Sequence, residues 1–465
     1  MVLLQKSQIV TTRRVIRGEV QMEKKQTIIY TSIIAALVVT LGIFWFLIIT
    51  ALLDSSDTTS GGTPIMNSGS SASYSAVKEI TTDENITSGE FSSTNADENA
   101  ISASGDIKAA LSNITVTKIG DSGGGDNTSF YGTNSAIIAK SGANLTIKNA
   151  SITTDATGAN GVFSYGGSAT TNNSSSDGTT INISDSTITT SKDNSGGIMT
   201  TGGGIMNAEN LTIATAGTSS AAIRSDRGGG TVTVNKGTYK TTGKGSPAIY
   251  STADITVKDA TLIATASEGA IIEGKNSITL ENVTLTDTNS SLNGQSTTYK
   301  NIFLYQSMSG DAATGKAVFT AKDSTVTTNK GDSFYVTNTT AEINLENNKI
   351  INNDSTGNFL RIQADSWGNS GSNGGTVTLN MTNQTATGNV VVDSISKLTM
   401  KLENGSSFKG AINTENAGEV ELTLDSSSSI TLTGDTYVKS LTNADTTNSN
   451  INTNGYKLYV DGEPL

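Results

Sequence analysis

The chain has no cysteine and no histidine. Without cysteine there is no disulfide and no thiol chemistry. With histidine missing too, the common Zn and Cu ligand sets are gone, and so is every catalytic triad built on imidazole. Arginine is scarce beyond residue 53, where only Arg224, Arg227 and Arg361 occur. Residues 1–53 hold six of the 30 basic and two of the 42 acidic side chains, which leaves 24 against 40, a net of −16, in the remainder. No basic footprint for nucleic acid is present, and polyanions are disfavoured as partners.

What the chain does have is repetition. Leu145-Thr146-Ile147-Lys148-Asn149-Ala150-Ser151-Ile152 returns as Ile181-Asn182-Ile183-Ser184-Asp185-Ser186-Thr187-Ile188 and as Ile255-Thr256-Val257-Lys258-Asp259-Ala260-Thr261-Leu262. It returns again at Ile278–Leu285 and Ile343–Ile350. Each copy reads as two period-two strands bent around one turn residue. A second phrase lies between the copies, as in Ala136-Ile137-Ile138, Ala222-Ile223-Arg224, Ala248-Ile249-Tyr250, Ala270-Ile271-Ile272 and Ser333-Phe334-Tyr335. Ile249 and Ile271 are 22 residues apart, and Asp259 and Asn282 are 23. One coil of that length cannot bury its own apolar face, so the repeat predicts an all-β solenoid, a parallel β-helix. From Ile101 to Tyr437 roughly 13 coils fit, which at ~4.8 Å per strand gives a rod about 60 Å long.

The repeat assigns roles within each coil. Asn149, Asp185, Asp259, Asn282, Asp323 and Asn347 sit where the backbone must turn left-handed, a conformation that Asn, Asp and Gly tolerate best, so their role is read as structural. Their side chains are expected to form a ladder along the axis. Thr146, Thr233, Thr256, Thr279, Thr378, Thr399 and Thr423 fall between apolar positions and are expected to face solvent. Stretches such as 166–178 and 287–298 read as loops leaving a coil.

Thr27 to Leu53 is one uncharged apolar run, longer than the ~20 residues that cross a bilayer. It follows Lys6, Arg13, Arg14, Arg17, Lys24 and Lys25 and precedes Asp54 and Asp57. The division expected is a cytoplasmic basic tail (1–26), a transmembrane signal anchor (27–53), a flexible Ser/Thr/Gly linker (54–75) and an extracellular β-helix (76–465). A cleaved long signal is the alternative reading of 27–53.

Through these coil phrases, and through the closing Ile430-Thr431-Leu432-Thr433-Gly434-Asp435 and Asn454-Gly455-Tyr456-Lys457-Leu458-Tyr459-Val460-Asp461-Gly462, the chain from about Ile101 to Gly462 resembles bacterial cell-surface right-handed parallel β-helix proteins. These share the pectate-lyase-like fold, and the nearest likeness is to carbohydrate-binding and adhesin-like members. The resemblance implies a right-handed solenoid displayed on a cell surface. It carries over no site residue, because the same coil serves lyases, hydrolases and passive adhesins.

A lyase on this fold would need acidic Ca²⁺ ligands and a basic residue on adjacent coils. No acidic triplet recurs at coil spacing, so no cofactor is expected, and Ca²⁺ has no specific motif behind it. Glu268 and Glu273 bracket one coil and would suit a hydrolase if ~5–9 Å apart; the simpler reading of them, and of the three arginines, is ion pairing. If Ile137, Val162, Ile198, Ile223, Ile249, Ile271, Phe334 and Phe359 point inward, the next residues form a column facing out: Ile138, Phe163, Met199, Arg224, Tyr250, Ile272, Tyr335 and Leu360. Either a corner or loop covers that column, or it is an exposed stripe suited to sugar rings. The candidate ligand-binding residues are Phe163, Arg224, Tyr250, Tyr335, Arg361 and Trp367. The expected function is a membrane-anchored surface adhesin or polysaccharide-binding rod, with a polysaccharide or cell-surface glycan and the lipid bilayer as partners. The alternatives are a polysaccharide lyase or hydrolase, a purely structural stalk, and, more distantly, an ice-binding surface.

Overall fold

The computed structural model describes residues 72–123, 126–167 and 176–465, all within one compact unit, Ser70–Leu465. The expected tail, membrane helix and most of the linker (1–71) lie outside the described residues. Among the described residues no helix is long and apolar enough to cross a membrane.

Each coil lays down three short strands. Ile249–Ser251, Asp254–Lys258 and Thr261–Ala264 make one coil, and Ala270–Glu273, Ser277–Glu281 and Thr284–Asp287 make the next. Each strand of the first pairs in parallel with its equivalent in the second. The first strands form a 12-stranded sheet from Ala76–Ile80 to Val390–Val392. The Val390–Ile412 bridge and the Tyr437 N–H bond to Ile412 O continue it, so the run of coils expected between Ile101 and Tyr437 is present. The second and third strands form a 22-stranded sheet, joined because Gly204–Thr215 and Gly230–Thr241 run unbroken through the bend.

That bend is made by one residue per coil. Asn113, Asn149, Asp185, Asn210, Lys236, Asp259, Asn282, Asp323, Asn347, Asn383 and Asn404 all have φ between 47° and 59°. For residues other than Gly, Asn and Asp this backbone costs roughly 1–2 kcal/mol, and Lys236 alone in the column departs from that set. The side chains bond between coils: Asn210 Nδ2 to Asp185 Oδ1 at 2.9 Å, and Asn282 to Asp259 and Asn347 to Asp323 at 2.6 Å each. The turn residues are structural, and the ladder runs in pairs.

The core is a set of stacked inward columns. Along the 12-stranded sheet Ile137, Val162, Ile198, Ile223, Ile249, Ala270, Ile302, Phe334, Leu360 and Val390 follow one another in register, all buried. The expected place of Ile271 in this column is corrected: Ala270 pairs with Ile249, and Ile271 pairs with Tyr250. Period two makes a one-residue slip change the face, so Ile272 points inward and Ile271 outward. Leu360 is likewise inward, paired with Phe334. Phe359 is also buried; it precedes the strand at the corner and sets its ring 5.5 Å from Phe334 and 5.8 Å from Phe408.

On the long sheet, Thr146, Thr233, Thr256, Thr279 and Thr423 share one outward column with Asn182, Asn207, Thr320, Asn344, Asn380 and Lys401. Thr378 and Thr399 also face outward but stand one pleat earlier, in line with Glu342.

Candidate functional site

The outward column of the 12-stranded sheet reads Ile138, Phe163, Met199, Arg224, Tyr250, Ile271, Phe303, Tyr335 and Arg361. The register thus brings Arg361 into the column and removes Ile272 and Leu360. Two insertions cover most of it.

The first cover is the segment between Lys118 and Ile137, which contains the helix Asp126–Tyr131. Ile138, Phe163 and Met199 are buried together beneath it, with Tyr74 and Tyr165 at the margin. Gly132 lies directly on the Phe163 ring: a Cβ there would stand 2.6 Å from Cγ, and its φ of 70° favours glycine independently. Tyr74 donates its hydroxyl to Tyr131 O (2.8 Å), and Thr201 donates to Phe130 O (2.7 Å).

The second cover is the loop after Leu360–Ile362. Trp367 packs 5.2 Å from both Phe303 and Tyr305, and Asp365 accepts hydrogen bonds from Tyr335 and Thr297 (2.9 Å each). Phe163 and Tyr335 both retain 0% exposure. The sharper expectation, an open aromatic stripe, is therefore corrected for these two rings. Extra loop residues supply apolar and polar partners that bury the rings against the sheet. Trp367 serves the cover, and Arg361 donates Nε–H to Asp332 at 2.5 Å and a second N–H to Gln363 at 3.1 Å.

Between the two covers Arg224 and Tyr250 are less completely covered, the Arg224 side chain keeping 12% exposure. Arg224 pairs with Asp226 (3.0 Å), and Arg227 lies over the Phe130 ring (3.9 Å) and pairs with Asp311 (2.6 Å). Burial pushes the Asp226 carboxyl up to about 6, against the opposing pull of Arg224. On the next coils Glu273, 1% exposed, accepts hydroxyl bonds from Tyr250, Tyr305 (3.1 Å) and Ser307. Desolvation, with the adjacent Glu273 carboxylate, holds both tyrosine hydroxyls well above their ordinary range. Glu268 is engaged elsewhere, with Ser267 and Lys300, so Glu268 and Glu273 belong to separate networks.

Beside this network lies a cleft of about 350 Å³, lined by Gly228–Gly230, Thr252, Asp254, Lys275, Asn276 and Asp311. Asn276 donates to Glu273 O (2.5 Å), and Asp311 accepts from Ser309 (2.9 Å) as well as Arg227. The cleft walls are corner turns of successive coils, where glycine backbones approach closely. At Gly229, φ is 57° and a Cβ would meet Thr252 O at 2.6 Å. Reading the sequence missed this cleft, because Asp311 arrives on a loop whose docking no period announces. It also missed Tyr437 and Tyr459, half-exposed rings stacked at 4.6 Å with 3° between planes. Their 22-residue spacing, one coil, was the available signal.

Among the described residues no group of three or more His, Cys, Asp or Glu could hold a metal ion. Comparison with models of known protein families, with curated proteins and with solved structures finds no match to this chain.

Proposed function

We propose that this chain is a surface-displayed β-solenoid that binds a neutral, hydroxyl-rich polysaccharide, held to a bilayer by the 27–53 segment. The observation that carries the reading is the polar cleft between the two covers. Asp254 and Asp311 offer carboxylate acceptors to sugar hydroxyls, Lys275 and Asn276 offer donors, and glycine backbones let a ring come close. Arg224 was a candidate ligand-binding residue, but its charge and that of Arg227 are already matched by Asp226 and Asp311. A neutral glycan fits that balance better than a uronic-acid polymer.

The test is a glycan array on the full chain, followed by titration of Asp254→Ala and Lys275→Ala. Each is expected to weaken binding several-fold while the melting temperature holds. Preference for acidic glycans, or unchanged affinity in both variants, would count against this site. No binding at all would favour a structural stalk. A hydrolase reading draws on Asp226, whose raised carboxyl suits a general acid, and on Glu273, whose charge acts with that of Asp226 on the Tyr250 hydroxyl. Both carboxyls lie beneath the surface, at 7% and 1% exposure, which favours binding over catalysis; release of reducing sugar would reverse that order.

A further inference from the structure

The cleft at Asp254 and Asp311 has two companions on the same corner of the rod, where the first strand of each coil turns into the second. A middle cleft of about 310 Å³ is lined by Gln306, Gly315, Thr340, Gly374 and Thr376, and a third of about 460 Å³ by Ile395, Lys397, Glu419, Lys439 and Asp461. The strands leaving this corner keep one unbroken register: Asp254 pairs with Ser277, Ser277 with Val318, Val318 with Glu342, Glu342 with Thr378, and Thr378 with Thr399. Every coil from Gly230 to Asp461 lines one of the three clefts. The clefts also adjoin. Lys275 of the first donates its N–H to Ala313 O (2.8 Å), and the residues that follow, Thr314 and Gly315, line the middle one. A Cβ on Gly374 of the middle cleft would meet Ile395 O of the third at 2.6 Å. Gln306 of the middle cleft donates to Ala312 O of the first (3.3 Å), and its own side-chain oxygen has no hydrogen-bond partner.

We infer that the three clefts are one track, and that its ligand is a single extended chain of neutral polysaccharide lying along the rod axis. The inference rests on the reading of the first cleft as a polysaccharide site. Charges along the corner cancel. Asp311 pairs with Arg227, Glu419 with Lys397 (3.1 Å) and Asp461 with Lys439, while Asp254 and Lys275 are of opposite sign. The middle cleft is lined by no charged side chain. Thr340 and Thr376 offer hydroxyls there, and Ile395, 41% exposed in the third cleft, offers an apolar surface to the C–H face of a sugar ring. From Thr231 to Ser440 the register runs over eight coil steps, or about 38 Å at ~4.8 Å each. An extended hexose chain advances by about one coil step per unit, so about eight units lie along the track. Units seated in successive clefts belong to one molecule, so each further contact is intramolecular and affinity grows with chain length until the track is full.

The experiment is calorimetric titration of the full chain with four neutral oligosaccharide series, β-1,4-glucan, β-1,4-mannan, β-1,4-xylan and α-1,4-glucan, each from two to ten units. In the series that binds, affinity is expected to rise at least tenfold between three and eight units and then level off, with one long chain bound per protein. Lys397 stands on a strand five coil steps from that of Asp254, about 24 Å away along the axis, beyond the reach of a trisaccharide that fills the first cleft. Lys397→Ala and Asp254→Ala, both at exposed positions, should each weaken binding of the eight-unit chain several-fold with the melting temperature unchanged. An affinity that levels off by three or four units, with Asp254→Ala harmful and Lys397→Ala silent, would overturn the track and leave a single cleft. No binding in any of the four series would overturn both the track and the polysaccharide reading on which it rests.

Discussion

At the scale of single residues, position within a coil decides what each side chain can do. Asp226 shows the energetic side of this. Its folded-state carboxyl is raised from 3.8 to about 6, so the native state binds the proton more tightly than the unfolded chain. The stability it adds is therefore fully present below about pH 4 and is lost as pH rises to about 6. Above that, Asp226 is ionised and paired with Arg224. Asp226→Asn should remove this dependence. Melting temperatures of the wild type minus those of the variant should fall between pH 4 and 6 and then level off. A difference that rises with pH would mean that Arg224, not burial, controls the carboxyl.

At the scale of elements, the bend between the second and third strands relies on backbone conformation more than on side-chain contacts. Asn282 has φ of 54° and bonds Asp259 at 2.6 Å while remaining exposed. Asn282→Ala places a Cβ in a left-handed backbone and should destabilise by ~1–2 kcal/mol. Asn282→Gly keeps the conformation and loses the ladder bond, so the smaller effect is expected. Urea denaturation of the two variants measures this. Equal losses would assign the stability to the ladder. The charged rungs outside the bend, such as Lys258–Glu281 at 2.6 Å and Lys397–Glu419 at 3.1 Å, are solvent-exposed pairs and contribute little each.

At the scale of the whole molecule, stacked coils touch mainly their neighbours, so damage should spread along the axis with distance. Ile249→Ala empties a place in the inward column between Ile223 and Ala270 and should cost roughly 2–5 kcal/mol. Amide hydrogen exchange should quicken first in 223–225 and 270–273, with the coils at Ile137 and Val390 unaffected at early times. An equal increase in every coil would show a single cooperative block. Thr256→Ser, on the outward column, is the control and should change little.

The solenoid, its coil length, its turn residues and most of its core columns were legible in the sequence. These depend on local rules: period two for strands, a left-handed turn that Asn and Asp tolerate, and a repeat that only stacking can bury. Ile271 and Arg361 were assigned wrongly or left unplaced for a different reason. The phrase Ala270-Ile271-Ile272 looks like Ala248-Ile249-Tyr250, yet Ala270 pairs with Ile249, and a one-residue shift reverses every face in the strand. The covers over Phe163 and Tyr335, the cleft at Asp311, and the buried pairing of Lys300 with Glu268 required the tertiary structure. Each depends on a loop of irregular sequence docking onto coils distant in the chain, and packing contacts of that kind follow no period.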